Sequence, residues 1–199
     1  MSRPDPLLAL IDATRELAAR NRRFALVGGL AVSIRSEVRF TRDVDIAVIV
    51  ENDVDAEGLI YELKASAFVP IVTVENDAHS RLATVRLQST KNVIVDLLFA
   101  SSGIETEVVT RASNVKVTSE LEIPVAATEE LIAMKVLSMS DQRLQDHLDV
   151  QRLIQYAIDL DIDRIRHNLR LICERSYNRD QDLLAKFDRV LSETTRPSA

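Results

Sequence analysis

The chain has 199 residues, of which 46% are hydrophobic and 28% charged, enough apolar material for a proper core in one domain or in a small lobe with an extension. Its net charge of −6, from 25 basic against 31 acidic residues, argues against adhesion to nucleic acid through the whole surface and leaves local basic patches for that purpose. No apolar run approaches membrane-spanning length and no signal-like pattern opens the sequence, which predicts a cytoplasmic protein without a membrane partner. The lone Cys173 excludes an intrachain disulfide.

Pro6 to Arg20 carries Leu7, Leu8, Leu10, Ile11, Leu17 and Ala18 at helical intervals, which predicts an amphipathic first helix. Arg20, Arg22 and Arg23 follow and read as a solvated surface with ordinary ion pairs. Phe24 to Val27 reads as a short buried strand. Gly28-Gly29 then permits a tight turn, with backbone N–H groups exposed at the start of a helix from about Leu30 to Ser36. Beyond it, Arg39-Phe40-Thr41-Arg42 leads to Asp43 and a strand over Val44 to Val50, apolar enough to be buried on both faces. A helix is predicted over Val54 to Ala67. Strands are predicted over Val69 to Val74, Leu82 to Leu87 and Val93 to Phe99, bounded by polar turns such as Glu75-Asn76-Asp77 and Gln88-Ser89-Thr90.

After Pro124 the composition becomes helical. Thr128 is placed to cap a helix to about Met139, and further helices cover about Arg143 to Ala157, Ile162 to Arg175 and Arg179 to Ser192. No glycine follows Gly103, as suits short helical connections, and the tail from Thr194 reads as loose. The expected architecture is α+β: a mixed sheet with helices over residues 1–124, followed by a helical C-terminal lobe over 125–199 packed on it. His79, His147 and His167 lack the spacing of a zinc site.

Chemistry concentrates around the glycines. Asp43 and Asp45 are two apart, so on one strand they share a face while Val44 and Ile46 face the core, and two close carboxylates suit a hard cation such as Mg²⁺. Asp-x-Asp alone also fits a solvated strand edge, and Gly-Gly alone fits an ordinary turn. Their conjunction across a helix-length spacer points to nucleotidyl transfer. Arg35, Arg39 and Arg42 between them add positive charge suited to an anionic substrate. Asp96 interrupts an otherwise apolar strand, a costly place for an acid unless it meets a metal or a cation. Beside the strand of Asp45 it completes a metal-binding triad; as an edge-strand residue it faces water or an arginine. Lys135 lies on a mainly apolar helix and either meets an anionic partner or snorkels to solvent. Asp146 and Asp149 are three apart on the next helix, on one side, placed either to orient Lys135 or the nucleotide, or to be solvated.

Leu26-Val27-Gly28-Gly29, Asp43-Val44-Asp45-Ile46 and Val95-Asp96-Leu97 resemble the signature of the DNA polymerase β-like nucleotidyltransferase superfamily. With Arg39-Phe40-Thr41-Arg42, Lys135 and Asp146-His147-Leu148-Asp149, residues 24 to 155 look like the AbiEii-type nucleotidyltransferases, although Gln145 stands where a basic residue is usual. The resemblance implies a minimal nucleotidyltransferase sheet and Mg²⁺ (or Mn²⁺) on Asp43, Asp45 and Asp96. It further implies a nucleoside triphosphate held by Gly28 and Gly29 with Arg39, Thr41 and Lys135, and active-site roles for Lys135 with Asp146 or Asp149. The family includes toxins of bacterial toxin–antitoxin systems, some of which add nucleotides to the 3′ end of tRNA, so a tRNA acceptor and a cognate antitoxin are the implied partners. The rival expectations are transfer to a small aminoglycoside-like molecule or a protein, and a non-catalytic nucleotide-binding module.

Overall fold

The computed structural model describes residues 5–195 apart from 67, 77 and 120. Helix α1 (Pro6–Ala19) starts where Asp5 accepts hydrogen bonds from the N–H groups of Leu7 and Leu8 and proline takes the first helical position; Leu10, Ala13 and Leu17 are buried. Strand β1 (Phe24–Val27), buried throughout, runs directly into α2 (Gly28–Arg35), so the two glycines form the first turn of that helix rather than a turn ahead of Leu30. Strand β2 (Val44–Val48) is two residues shorter than expected at its end and begins after Asp43. Helix α3 (Asp53–Ala65) is capped by Asn52, whose side chain accepts the Asp55 N–H; the predicted end at Ala67 lies outside the described residues.

Strands β3 (Val69–Asn76), β4 (Arg81–Gln88) and β5 (Ile94–Leu98) follow, and β3 continues through the expected turn residues Glu75 and Asn76 because they pair with Leu82 and Arg81. The third residue of that turn, Asp77, lies outside the described residues. Three elements that the apolar pattern does not signal come next: α4 (Glu105–Arg111), β6 (Ser113–Lys116) and β7 (Glu122–Val125). The expected lobe boundary after Pro124 thus falls inside β7. The chain closes with α5 (Thr128–Ser138), α6 (Leu144–Tyr156), α7 (Ile162–Glu174) and α8 (Leu183–Thr195). Ala127, not Thr128, occupies the cap position of α5 and makes no side-chain capping bond. Helix α8 starts later than Arg179 because Arg179 and Asp180 take positive φ, and Asp182 accepts the Ala185 N–H at 3.0 Å.

The described strands form one mixed sheet in the order β3-β4-β5-β2-β1-β7-β6, with β2–β5 and β1–β7 parallel and the other pairs antiparallel. Helix α1 packs on β2 and β5, and α3 on β3 and β4, whereas α2 packs on β1 and β2 and reaches α5 and α6. The architecture is α+β, a sheet with a helical bundle following it. No helix among the described residues is long and apolar enough to cross a membrane. Arg35 turns away from the acids: its guanidinium donates to the carbonyls of Val125 and Ala126 and so pins β7 beside β1. Arg20 pairs with Glu16 and Glu62, and Arg22 with Asp55, the ordinary ion pairs expected of that segment. Cys173 is partly buried against the core.

Gly58 sits inside α3, and a Cβ added there meets nothing within 4 Å. Gly58→Ala is therefore expected to stabilise the protein by about 0.5–1 kcal/mol, the helix-propensity difference, read as a higher unfolding midpoint; a lower midpoint would contradict the placement.

Candidate active site

Strand pairing brings the acids together. The β1–β2 register opposes Val27 to Asp45, the parallel β2–β5 register opposes Asp45 to Asp96, and the β4–β5 register opposes Asp96 to Arg86. Directly opposed residues share a sheet face and neighbouring strands lie about 4.8 Å apart, so these side chains form one row across four strands. Val44 and Ile46, on the alternate face, are fully buried. Asp43 immediately precedes β2 instead of lying on it, and its charge reaches Asp45. Burial pushes the Asp45 carboxyl up to about 6, the Asp96 and Asp43 charges push the same way, and the Lys135 charge and the Gly29 N–H oppose them. Asp96, buried, accepts two hydrogen bonds from the Arg86 guanidinium, Nε at 2.9 Å and Nη2 at 2.7 Å, which makes its place in an apolar strand tolerable.

The glycines make room for this row. Gly28 has φ +63°, and a Cβ there would lie 1.9 Å from Oδ2 of Asp45, so the Asp45 carboxylate fills the space that any other residue's side chain would need. A Cβ on Gly29 would lie 2.8 Å from both Arg39 Nη2 and Thr41 Oγ1. Arg39 and Thr41 thus rest on the head of α2, where backbone N–H groups and the helix dipole favour an anion.

The helical half supplies a second charged cluster. Lys135 Nζ on α5 lies 2.5 Å from Asp146 and 3.0 Å from Asp149, both on α6, so the anionic partners weighed for it are those two acids. Asp149 is fully buried and also accepts from Arg39 at 2.7 Å and from Gln145 at 2.9 Å. Burial pushes its carboxyl up, but the Arg39 hydrogen bond, the Lys135 charge and the remaining hydrogen bonds outweigh that and leave it lowered. Gln145, at the position where a basic residue is usual, here holds the Asp149 carboxylate.

A cavity of about 320 Å³ joins the two halves, with Gly28, Asp45 and Asp96 on the sheet side and Lys135, Asp146 and Arg143 on the helical side. Asp43, Gly29, Arg39, Thr41 and Asp149 do not line it; they reach it through Asp45, Lys135 and the head of α2. Sequence reasoning missed Arg86, Arg143 and Arg179, as well as Ser101, Ser102 and Ser138 in the cavity wall. Only the β4–β5 register, which a local pattern does not encode, would have pointed to Arg86. The cavity also reaches Val74, half-exposed on the edge strand β3, so it runs out to the rim of the sheet.

Among the described residues no three His, Cys, Asp or Glu side chains lie close enough together to hold a metal ion by themselves, and both Asp96 oxygens accept from Arg86. The donor chemistry still fits Mg²⁺, which takes one or two carboxylates and completes its shell with water and substrate phosphates. A cation bound beside Asp45 would favour its ionised form against the burial and the Asp96 and Asp43 charges that oppose it.

A model of the family described as nucleotidyl transferase AbiEii toxin, Type IV TA system, matches residues 10–197. No curated protein sequence matches. Among solved structures the chain is similar to an antigenic nucleotidyltransferase-like protein from Paracoccidioides brasiliensis, at 16% identity and a TM-score of 0.53 over 92% of this chain and 93% of that one. It is also similar to the lincomycin-bound lincosamide antibiotic adenylyltransferase LnuA, at 15% identity and a TM-score of 0.49 over 76% and 96%. JHP933 from Helicobacter pylori matches at 13% identity and a TM-score of 0.48 over 95% and 88%. At such identity the first of these likenesses is one of fold.

Proposed function

This chain belongs to the AbiEii nucleotidyltransferase family and is a nucleotidyl transfer enzyme, and from that premise we propose that it moves a nucleoside monophosphate from a triphosphate to the 3′ end of tRNA, as the cytoplasmic toxin of a toxin–antitoxin pair. The observation that carries the site assignment is the row of Asp45 and Asp96 beside the glycine head of α2, facing Lys135 across one cavity. Asp43 and Asp45 would hold Mg²⁺ or Mn²⁺, with Asp96 as the third carboxylate beside them. The glycine turn of Gly28 and Gly29 at the head of α2 cradles the triphosphate, and Arg39 and Thr41 keep that turn in shape.

A divalent cation bound there lowers the pKa of the acceptor hydroxyl and offsets charge at the phosphates. The acceptor oxygen forms its bond to the α-phosphorus as the bond to pyrophosphate breaks. The hydroxyl proton passes to a carboxylate oxygen of Asp96, which Arg86 orients. Lys135, steered by Asp146 and Asp149, offsets charge on the departing pyrophosphate. Helices α5 to α8 act as the lobe that brings Lys135 and its two acids to the sheet.

An extended acceptor is favoured by the cavity's reach to half-exposed Val74 and by the exposed cations Arg143 and Arg179 in its wall; a small acceptor calls for an enclosed pocket. The test supplies the protein with Mg²⁺, each α-labelled triphosphate in turn, and total bacterial RNA, an aminoglycoside or a carrier protein. Label on tRNA-sized RNA, abolished by prior oxidation of the RNA 3′ end, is expected. Label on the aminoglycoside or the protein instead would overturn the acceptor assignment.

A further inference from the structure

The loop between α2 and β2 carries side chains that alternate between inward and outward placement. Arg39 is pinned to Asp149 at 2.7 Å, and its backbone N–H donates to Ser33 Oγ at 3.3 Å, while Thr41 rests on Gly29. The outward residues are Val38, 86% exposed, just before the first anchor, and Phe40, 71% exposed, between the two. The other four phenylalanines, Phe24, Phe68, Phe99 and Phe187, are all buried, so an exposed phenylalanine is out of keeping with how this fold uses the residue. The Arg42 guanidinium carbon lies 5.7 Å from the Phe40 ring centroid, and among the described residues Arg42 makes no ion pair. Phe40 precedes Asp43 by three residues, so the Cα atoms of the two lie at most about 11 Å apart.

We propose that Phe40 and Arg42 form a platform that binds an unpaired nucleobase of the RNA acceptor, the base stacking on the ring and the guanidinium meeting the adjoining phosphate, and that this positions the 3′ hydroxyl at the acids. The inference rests on the RNA-acceptor reading above. Two features select a single-stranded nucleic acid over an apolar protein partner. The ring comes with a cation at its side, which a base and its phosphate together satisfy and which burial under an apolar surface would leave unpaired. The anchors at Arg39 and Thr41 hold the loop in place, so little order has to be created on binding.

Because the chain has no tryptophan, Phe40→Trp creates a single-indole reporter. Its emission is expected to be quenched by a short single-stranded RNA with a free 3′ hydroxyl and left unchanged by a blunt duplex of the same composition. Phe40→Ala is expected to raise the KM for the acceptor RNA about tenfold or more, with the triphosphate KM and the melting temperature unchanged, and Phe40→Trp to restore the acceptor KM. Arg42→Ala should reduce the slope of log affinity against log salt by about 0.7, the loss of one single-strand phosphate contact. An acceptor KM within twofold of the parent in Phe40→Ala, or an indole indifferent to single-stranded RNA, would overturn the platform. If the unmodified protein labels no RNA, the acceptor reading falls and the fluorescence titration alone decides: quenching keeps the platform and its absence removes it.

Discussion

Asp45→Asn is expected to lower nucleotide transfer by about a thousandfold or more while the protein melts no lower than its parent. Activity falls because Asp45 is the carboxylate around which the site is built: Gly28 leaves its Cβ space to it, the Gly29 N–H hydrogen-bonds to it, and Asp96 stands directly opposite on β5. Loss of charge stabilisation at the transferring phosphate amounts to several kcal/mol, and each 1.36 kcal/mol is tenfold in rate. Stability is kept because burial and the Asp96 and Asp43 charges all work against an ionised Asp45, and asparagine retains its size without the charge. Transfer measured by label incorporation, alongside thermal unfolding of the same metal-free samples, separates the two effects. A variant that loses activity only because it unfolds would contradict this account of Asp45.

Asp149→Asn is expected to do the opposite to stability, lowering it by about 3 kcal/mol. Its fully buried carboxylate is the shared partner of Arg39, Lys135 and Gln145, and removing one member of a buried ionic cluster leaves the others without compensation. The pH dependence has a definite sign. The Asp149 carboxyl is lowered from its ordinary 3.8, so the folded state holds the proton more weakly than the unfolded chain, and the stabilisation is present above about pH 4. It is lost as pH falls through the lowered folded value. Denaturant unfolding of parent and variant should therefore show a constant gap from pH 5 to 8 that narrows in acid. A gap that stays the same under acid conditions would place the stabilisation elsewhere.

Much of this arrangement was legible from local pattern. The glycine pair and Asp45 could be read because the chemistry needs them within a few residues of a strand end, and the apolar run around Asp96 marked both a strand and an anomalous acid within it. The parallel pairing of β2 with β5 then put Asp96 opposite Asp45. Arg86 was not legible, since a polar residue at an alternate strand position reads as solvent-facing, and only cross-strand register shows what it meets. Ahead of helix α4, Ser102-Gly103-Ile104-Glu105 has the S-x-x-E spacing of a helix start, but the helix begins at Glu105 with Ile104 at the cap position, and the Glu105 carboxylate accepts the Ser102 N–H at 2.7 Å. Strands β6 and β7 span four residues each, and backbone pairing with β1 and the hold of Arg35, not an apolar stripe, keep them in place. Thr128 misled because a threonine ahead of an acidic first turn looks like a cap, whereas the helix begins on it.

We place the transfer of the nucleotide in the cavity between the Asp45–Asp96 row and Lys135. The most direct measurement is the Mg²⁺-dependent transfer of α-phosphate label from nucleoside triphosphate to RNA by the parent protein and by Asp45→Asn in parallel, each sample first checked for folding by circular dichroism. Labelled RNA is expected with the parent, and background counts with a fully folded Asp45→Asn. Equal labelling by the two proteins would contradict it, because the carboxylate at the centre of the row would then have no part in the reaction.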